Sequence, residues 1–190
     1  MSVKILGGVA KSFELATAHD SHTRPTSVML KRRLFDSIQD FSGITFIDLC
    51  AGSGSMGLEA LSRGASHVYL VENNKNSFRF LKTNAQKILQ KFPDLGKLEC
   101  FMDDFAKWLK KNESVLTNDE DKIIFFDPPY EKIDLYRAFL TSIFQANFHG
   151  KLIVEACQQK TLKIDSFEQE FGIANKIFKQ GTSFFAIYDL

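Results

Sequence analysis

Two short stretches hold residue types that could do chemistry together. In Phe46-Ile47-Asp48-Leu49-Cys50-Ala51-Gly52-Ser53-Gly54-Ser55-Met56-Gly57 an apolar run ends in an acid and passes through three closely spaced glycines. Gly52 and Gly54 can take backbone angles closed to other residues and let a ligand come close, while Gly57 lets a following helix lie tightly on the strand. The spacing also fits the dinucleotide fingerprint, so the glycines alone leave the cofactor open. Asp48 separates the readings. An acid just before the turn is an awkward neighbour for a pyrophosphate, but it suits a cationic, phosphate-free ligand such as S-adenosylmethionine, whose amino group needs an acceptor. The second stretch is Lys122-Ile123-Ile124-Phe125-Phe126-Asp127-Pro128-Pro129-Tyr130. Its two prolines remove donors and fix the backbone, which projects the Asp127 side chain and the Pro128 carbonyl toward one point.

The elements that must position these groups follow a strand–helix alternation. The residues from Phe46 read as a strand, turn and helix that ends at Gly64, and His67 to Glu72 as a second strand with an acid at its tip. A carboxylate at Glu72 can accept both hydroxyls of an adenosine ribose. Asn73 or Asn74 caps an amphipathic helix that runs through Phe92. Its stripe of Phe78, Leu81, Ala85, Ile88, Leu89 and Phe92 reads as core. Lys97 to Met102 gives a third strand ending in Asp103-Asp104. Asp104 is placed to accept an adenine amino group with Phe105 beside the ring; Asp103 competes for that place, and helix capping is an alternative for either. Asn112 to Asp121 reads as a polar loop without chemistry. The apolar run before Asp127 suits a central strand buried on both faces. Ile133 to Ala146 reads as a helix, Lys151 to Ala156 as a fifth strand, and Ala174 to Lys179 with Ser183 to Tyr188 as a closing hairpin.

Ahead of all this, Val3 to Gly8 and Lys11 to Leu15 read as a short hairpin, followed by a polar segment in which Pro25 forces an extended loop. His19 and His22 in that segment read as solvated. Thr26 or Ser27 can cap a helix with apolar positions Val28, Leu30, Leu34, Phe35 and Ile38. Lys31-Arg32-Arg33 on it is the one dense basic cluster, a wet face that could also meet phosphate.

A chain of 190 residues, 44% hydrophobic, has enough material for one substantial core, so residues 1–190 are expected to form a single domain. Residues 1–26 would be its N-terminal hairpin and substrate-side loop, and 27–190 its Rossmann-like core. With 24 Lys and Arg against 23 Asp and Glu, the net charge of +1 carries no global nucleic-acid signature, so any polyanion site must be a local patch. Cys50, Cys100 and Cys157 lack metal-ligand spacing and read as reduced thiols, so no metal is expected. No signal peptide or membrane-spanning run is evident, which predicts a cytoplasmic protein.

With Asp-Pro-Pro-Tyr at the tip of the fourth strand, the chain resembles the class I methyltransferases that modify exocyclic amines of nucleobases. An exocyclic amine lends its lone pair to the ring, and acceptors on its two hydrogens help to free it. Aspartate is acceptor-only and matches the N1–H and N2–H donors of guanine, whereas adenine's N1 would favour an amide. More specifically, the chain is similar to the RsmD family of 16S rRNA guanine-N2 methyltransferases, and the similarity covers nearly the whole length. It runs through Ile5-Leu6-Gly7-Gly8 with Lys11, Thr23-Arg24-Pro25-Thr26, Leu34-Phe35, the glycine turn, Glu59-Ala60, Ser62-Arg63-Gly64-Ala65, Glu72, Asp104 and Asp127-Pro128-Pro129-Tyr130. The helix after Thr26 departs from the family pattern, with Met29 and Arg32 in place of a usual Arg and Glu, and Lys31 in place of an Arg.

The alternation of strands and helices followed by a closing hairpin implies an α/β, Rossmann-like fold with a seven-stranded, mostly parallel sheet, one antiparallel strand and helices on both faces, as the resemblance does. The resemblance implies S-adenosylmethionine held by Asp48, Cys50, Ala51, Gly52, Gly54, Glu72, Asn73, Asp104 and Phe105. Asp127, Pro128 and Tyr130 would act on a base, with Arg24, Thr26, Lys31, Pro129 and Tyr130 on the substrate side and Tyr130 stacked on the base. The implied target is guanine N2 at position 966 of 16S rRNA, in a small subunit or an assembly intermediate, and the implied enzyme is a monomer. Other readings are a DNA adenine-N6 or cytosine-N4 methyltransferase, for which the chain lacks a sizeable recognition domain, and a non-catalytic RNA-binding relative. A nicotinamide oxidoreductase ranks last, because Asp-Pro-Pro-Tyr has no place in hydride transfer.

Overall fold

The computed structural model describes residues 2–17, 27–38, 40–117, 121–129, 132–146, 148–158 and 163–190. Two strands, β1 (Ser2–Lys4) and β2 (Glu14–Ala16), form an antiparallel hairpin, and α1 (Val28–Ser37) follows. The remainder alternates: β3 (Thr45–Leu49), α2 (Ser55–Ser62), β4 (His67–Val71), α3 (Lys75–Lys91), β5 (Lys97–Phe101), α4 (Phe105–Lys111), α5 (Glu113–Thr117), β6 (Lys122–Phe126), α6 (Ile133–Gln145), β7 (Lys151–Cys157), α7 (Ile164–Phe171), β8 (Lys176–Gln180) and β9 (Ser183–Asp189).

The main sheet has seven strands in the order β5-β4-β3-β6-β7-β9-β8. All pairings from β5 to β7 are parallel, and β9 is the one reversed strand, antiparallel to both β7 and β8. Strands β3 and β6 are buried along their whole length, as an apolar parallel strand covered on both faces must be. Alternation of side chains then sorts the core into two halves. One contains Phe46, Val68, Leu70, Phe125 and Ile153 with Leu30, Leu34 and Leu58; the other contains Ile47, Ile124, Phe126 and Val154 with Trp108, Phe139 and Phe167.

Two helices depart from the sequence reading. The segment 112–121, read as a loop, contains α5, whose single turn is fastened by Leu116 buried in the second half of the core. Helix α7 falls between the fifth strand and the closing hairpin, and buries Phe167 and Phe171, one turn apart. Ser27 occupies the N-cap position of α1 without a side-chain cap bond, and Val28 is exposed. Among the described residues no helix is long and apolar enough to cross a membrane.

Candidate functional site

The chain steps outward from β3 through β4 to β5, then returns to the other side of β3 to lay down β6 and β7. Such a reversal opens a crevice at the carboxyl ends of β3 and β6, where ligands of open α/β sheets bind. The register pairs Leu49 with Phe126, which sets Cys50 and Asp127 side by side at that edge. The glycine turn and the Asp-Pro-Pro stretch therefore meet at one crevice.

The turn is shaped by three left-handed residues, Cys50 (φ 67°), Gly52 (φ 56°) and Gly54 (φ 82°), the last being the N-cap of α2. Acids from two strands brace it. Asp48 Oδ2 accepts from the Gly57 N–H at 2.9 Å. Glu72 Oε2 accepts from the Gly52 N–H at 2.7 Å, and its Oε1 from the Asn74 N–H at 2.6 Å. Ala51 adds a bond from its N–H to the Val71 carbonyl (2.9 Å) and accepts from the Gly54 N–H (2.7 Å). A Cβ at Gly57 would lie 2.3 Å from Leu70 Cδ2, so that glycine lets α2 close on β4. A Cβ at Gly52 would meet nothing within 4 Å; this backbone faces open space into which a ligand can settle.

On the third tip, Asp104 caps α4, its Oδ1 accepting from Ala106 (3.0 Å) and Lys107 (3.3 Å) N–H groups. Asp103 is drawn outward by Lys111 (2.7 Å). Asn73 is exposed beside Glu72, while Asn74 caps α3. The Phe105 ring is buried and packs edge-on against Phe126 and Phe139, which anchors the first turn of α4 in the core. Pro128 is buried and Pro129 exposed, and the Pro129 carbonyl accepts from the Lys132 N–H at 3.0 Å. Arg24, Thr26 and Tyr130 lie outside the described residues.

Lys31 is the clearest correction. In place of the substrate-side position expected of it, its side chain is 2% exposed. Its Nζ ion-pairs with Glu59 Oε2 at 3.1 Å and donates to the Ser55 carbonyl at 2.8 Å. The reason is helical geometry, since position 31 shares a face with buried Leu34 and Phe35 while Arg32 and Arg33 turn outward. Glu59, fully buried on α2, also accepts from the Leu6 N–H (2.7 Å) and from Arg63 Nε (2.8 Å), and so ties hairpin, α1 and α2 into one knot behind the glycine turn.

The crevice is strongly acidic. Asp48, Glu72, Asp104 and Asp127 all press on the Cys50 thiol which, chiefly through burial, is pushed far above its ordinary pKa. Burial, with Glu72 and Glu155 nearby, raises the Asp48 carboxyl to about 7 despite its bond from Gly57 and the charge of Lys31. Asp127 is raised well above the usual carboxylate range, first by burial and then by Glu155 and Asp48. Sequence reasoning misses Glu155. Its signal is an acid inside the otherwise apolar run of β7, one strand beyond Asp127. An acidic, partly desolvated crevice rimmed by strand-tip carboxylates favours a cationic ligand and disfavours a pyrophosphate. Among the described residues no His, Cys, Asp and Glu cluster suits a metal ion. A separate groove of about 700 Å³, between Gly8, Arg63, Ser66, Lys91 and Gly96, opens at the opposite edge of the sheet, away from these acids.

Known proteins resemble this chain in sequence and in fold. The family described as "Conserved hypothetical protein 95" matches residues 3–188. The ribosomal RNA small subunit methyltransferase D of Buchnera aphidicola (subsp. Acyrthosiphon pisum) is 30% identical over 68% of this chain, a match that spans 64% of that protein's own length. A hypothetical protein of Thermus thermophilus superposes with a TM-score of 0.75 at 24% identity, covering 99% of both chains. A SAM-dependent methyltransferase from Agrobacterium tumefaciens superposes with a TM-score of 0.66 at 15% identity, over 93% of this chain and 66% of that one.

Proposed function

The chain belongs to the RsmD family, the one described as "Conserved hypothetical protein 95", and on that premise we propose that it methylates N2 of a guanine in small-subunit rRNA. The observation that carries the reading is the meeting of Asp127 with the braced glycine turn at the switch point of the sheet.

The cofactor is S-adenosylmethionine, which supplies an activated methyl group when bound. The residues present fit it: backbone at Gly52 that borders open space, and acids matched to a sulfonium and an amino group that are both positive. Asp48, Cys50, Ala51, Gly52 and Gly54 would hold its methionine end. Glu72 and Asn73 would hold its ribose, and Asp104 its adenine. Asp127 and the Pro128 carbonyl accept from the two hydrogens of the target amine. That grip frees the nitrogen lone pair and fixes its direction, and in-line transfer then needs mainly an approach of roughly 3–3.5 Å. Aspartate as an acceptor-only group supports guanine, with position 966 of 16S rRNA the implied nucleotide. Tyr130 would stack on the extruded base, and Arg24, Thr26 and Pro129 would line its approach.

The deciding experiment is to map tritiated methyl groups after incubation with unmethylated small subunits, naked 16S rRNA and duplex DNA. Label at a guanine N2 in rRNA is expected; label in DNA alone overturns the assignment. In the same assay Asp127→Ala should lower transfer at least about 100-fold while S-adenosylmethionine binding, followed by calorimetry, stays within about threefold.

A further inference from the structure

Glu155 is a buried carboxyl, 1% exposed, in a strand whose neighbouring residues are apolar, and the chemistry above makes no use of it. Because Phe126 pairs with Val154, the next residues, Asp127 and Glu155, stand side by side on adjacent parallel strands. Their side chains are in hydrogen-bonding contact. Phe185 of β9 lies directly across from Glu155, is fully buried and helps to wall it from solvent. Tyr136 of α6 fixes its main chain, the hydroxyl donating to the Glu155 carbonyl at 3.1 Å. Two ionised carboxylates offer only acceptors and repel one another, so a hydrogen bond between them requires one proton for the pair.

We propose that Glu155 is a positioning residue for methyl transfer: a proton shared with Asp127 fixes the Asp127 carboxyl so that its remaining oxygen is presented to the target amine. This rests on Asp127 being the group that grips the amine. In the transfer the nitrogen lone pair forms the N–C bond while the C–S bond breaks, its electrons going to sulfur to leave a thioether. The nitrogen then carries a positive charge. One of its N–H bonds breaks with the electrons returning to nitrogen, and the proton passes to the Asp127–Glu155 pair, which goes from one negative charge to none and later discharges to solvent. The groups that face Asp127 are Asp48 on β3 and Glu155 on β7, with Cys50 and Tyr136 beside them; Glu72 and Lys31 act at one remove through Asp48.

The test compares Glu155→Gln, whose amide still donates to Asp127 but holds no titratable proton, with Glu155→Ala. Circular dichroism and S-adenosylmethionine binding establish that each variant is folded. The alanine variant should lose about 100-fold in kcat with donor affinity unchanged. The glutamine variant should recover most of that loss and show an alkaline limb in its pH–rate profile displaced from that of the wild type on the same RNA, since the pair can no longer lose its shared proton. In carbon-13 NMR of labelled carboxyls without RNA, wild-type Asp127 should titrate in two linked steps, and in Glu155→Gln in a single step at lower pH. Identical Asp127 titration in both proteins, or a kcat within twofold of wild type in Glu155→Ala, overturns the proposal. Absence of methyl transfer by the wild-type enzyme to any RNA would instead overturn the function, leaving the carboxyl titration to decide on the pair.

Discussion

A methyl group added at Gly52, in the turn, and one added at Gly57, on α2, meet different surroundings although the two lie close together in the chain. At Gly57 it would press on Leu70 Cδ2 at 2.3 Å and on Val68 Cγ1 at 3.0 Å, both in the core. Gly57→Ala should therefore destabilise the fold by about 1–3 kcal/mol, measurable by denaturant titration. At Gly52 the space is open but φ is 56°, so Gly52→Ala should cost only about 1–2 kcal/mol of strain. Its main effect should be on the ligand: S-adenosylmethionine affinity falling at least about tenfold by calorimetry, because the new methyl projects where the ligand is expected to sit. The conformational duties of these glycines are readable from their spacing alone. The bracing of the turn by Asp48 and Glu72 is not, because bonds from backbone N–H groups to strand-tip acids depend on how the loop folds back, which residue order does not encode.

Elements are legible where a period repeats, and lost where it is short. Helix α3 carries several turns of apolar stripe, and Asn74 accepts from the Asn76 and Ser77 N–H groups as a cap should. Helices α5 and α7 have too few turns to announce a period, and only tertiary burial of Leu116, Phe167 and Phe171 fixes them. The position of Lys31 escapes sequence reading for a related reason, since a run of three cations hides which one faces inward. Counting back one turn from Leu34 and Phe35 marks it. Buried between α1 and α2, the Lys31–Glu59 pair is an all-or-none device: burial pulls the Lys31 pKa down, and Glu59 is what holds its charge. Glu59→Leu should destabilise the protein by about 3–5 kcal/mol by stranding an ammonium, and adding Lys31→Met should restore a good part of that. Simple additivity of the two losses in chemical denaturation would refute the coupling.

For the molecule as a whole, alternation of strands and helices with a terminal hairpin is enough to predict the sheet and its reversed strand, because connection rules leave few topologies. What alternation does not reveal is how much charge one edge gathers. Asp48 has a folded pKa of about 7, above its unfolded value near 4. Between those values the folded state binds a proton that the unfolded state lacks. This contribution, about 4 kcal/mol, is complete below pH 4 and lost as pH rises to 7. Asp40, Glu99 and Asp103 work oppositely, held below the usual range by Ser42, Lys97 and Lys111, and act only at lower pH. Stability of the ligand-free protein should thus increase from pH 8 to pH 6 in scanning calorimetry. Binding of a cation should release a proton and strengthen as pH rises through the same interval; a flat profile would remove Asp48 from that balance. The order of strands has one more consequence. Segment 183–189 is inserted between β7 and β8 although it follows both in the chain. During synthesis the flank of β7, and with it the wall behind Glu155, stays bare while everything earlier has already emerged. That flank of the sheet is thus finished last, and a nascent chain stalled before Ser183 would offer a naked apolar border to its neighbours.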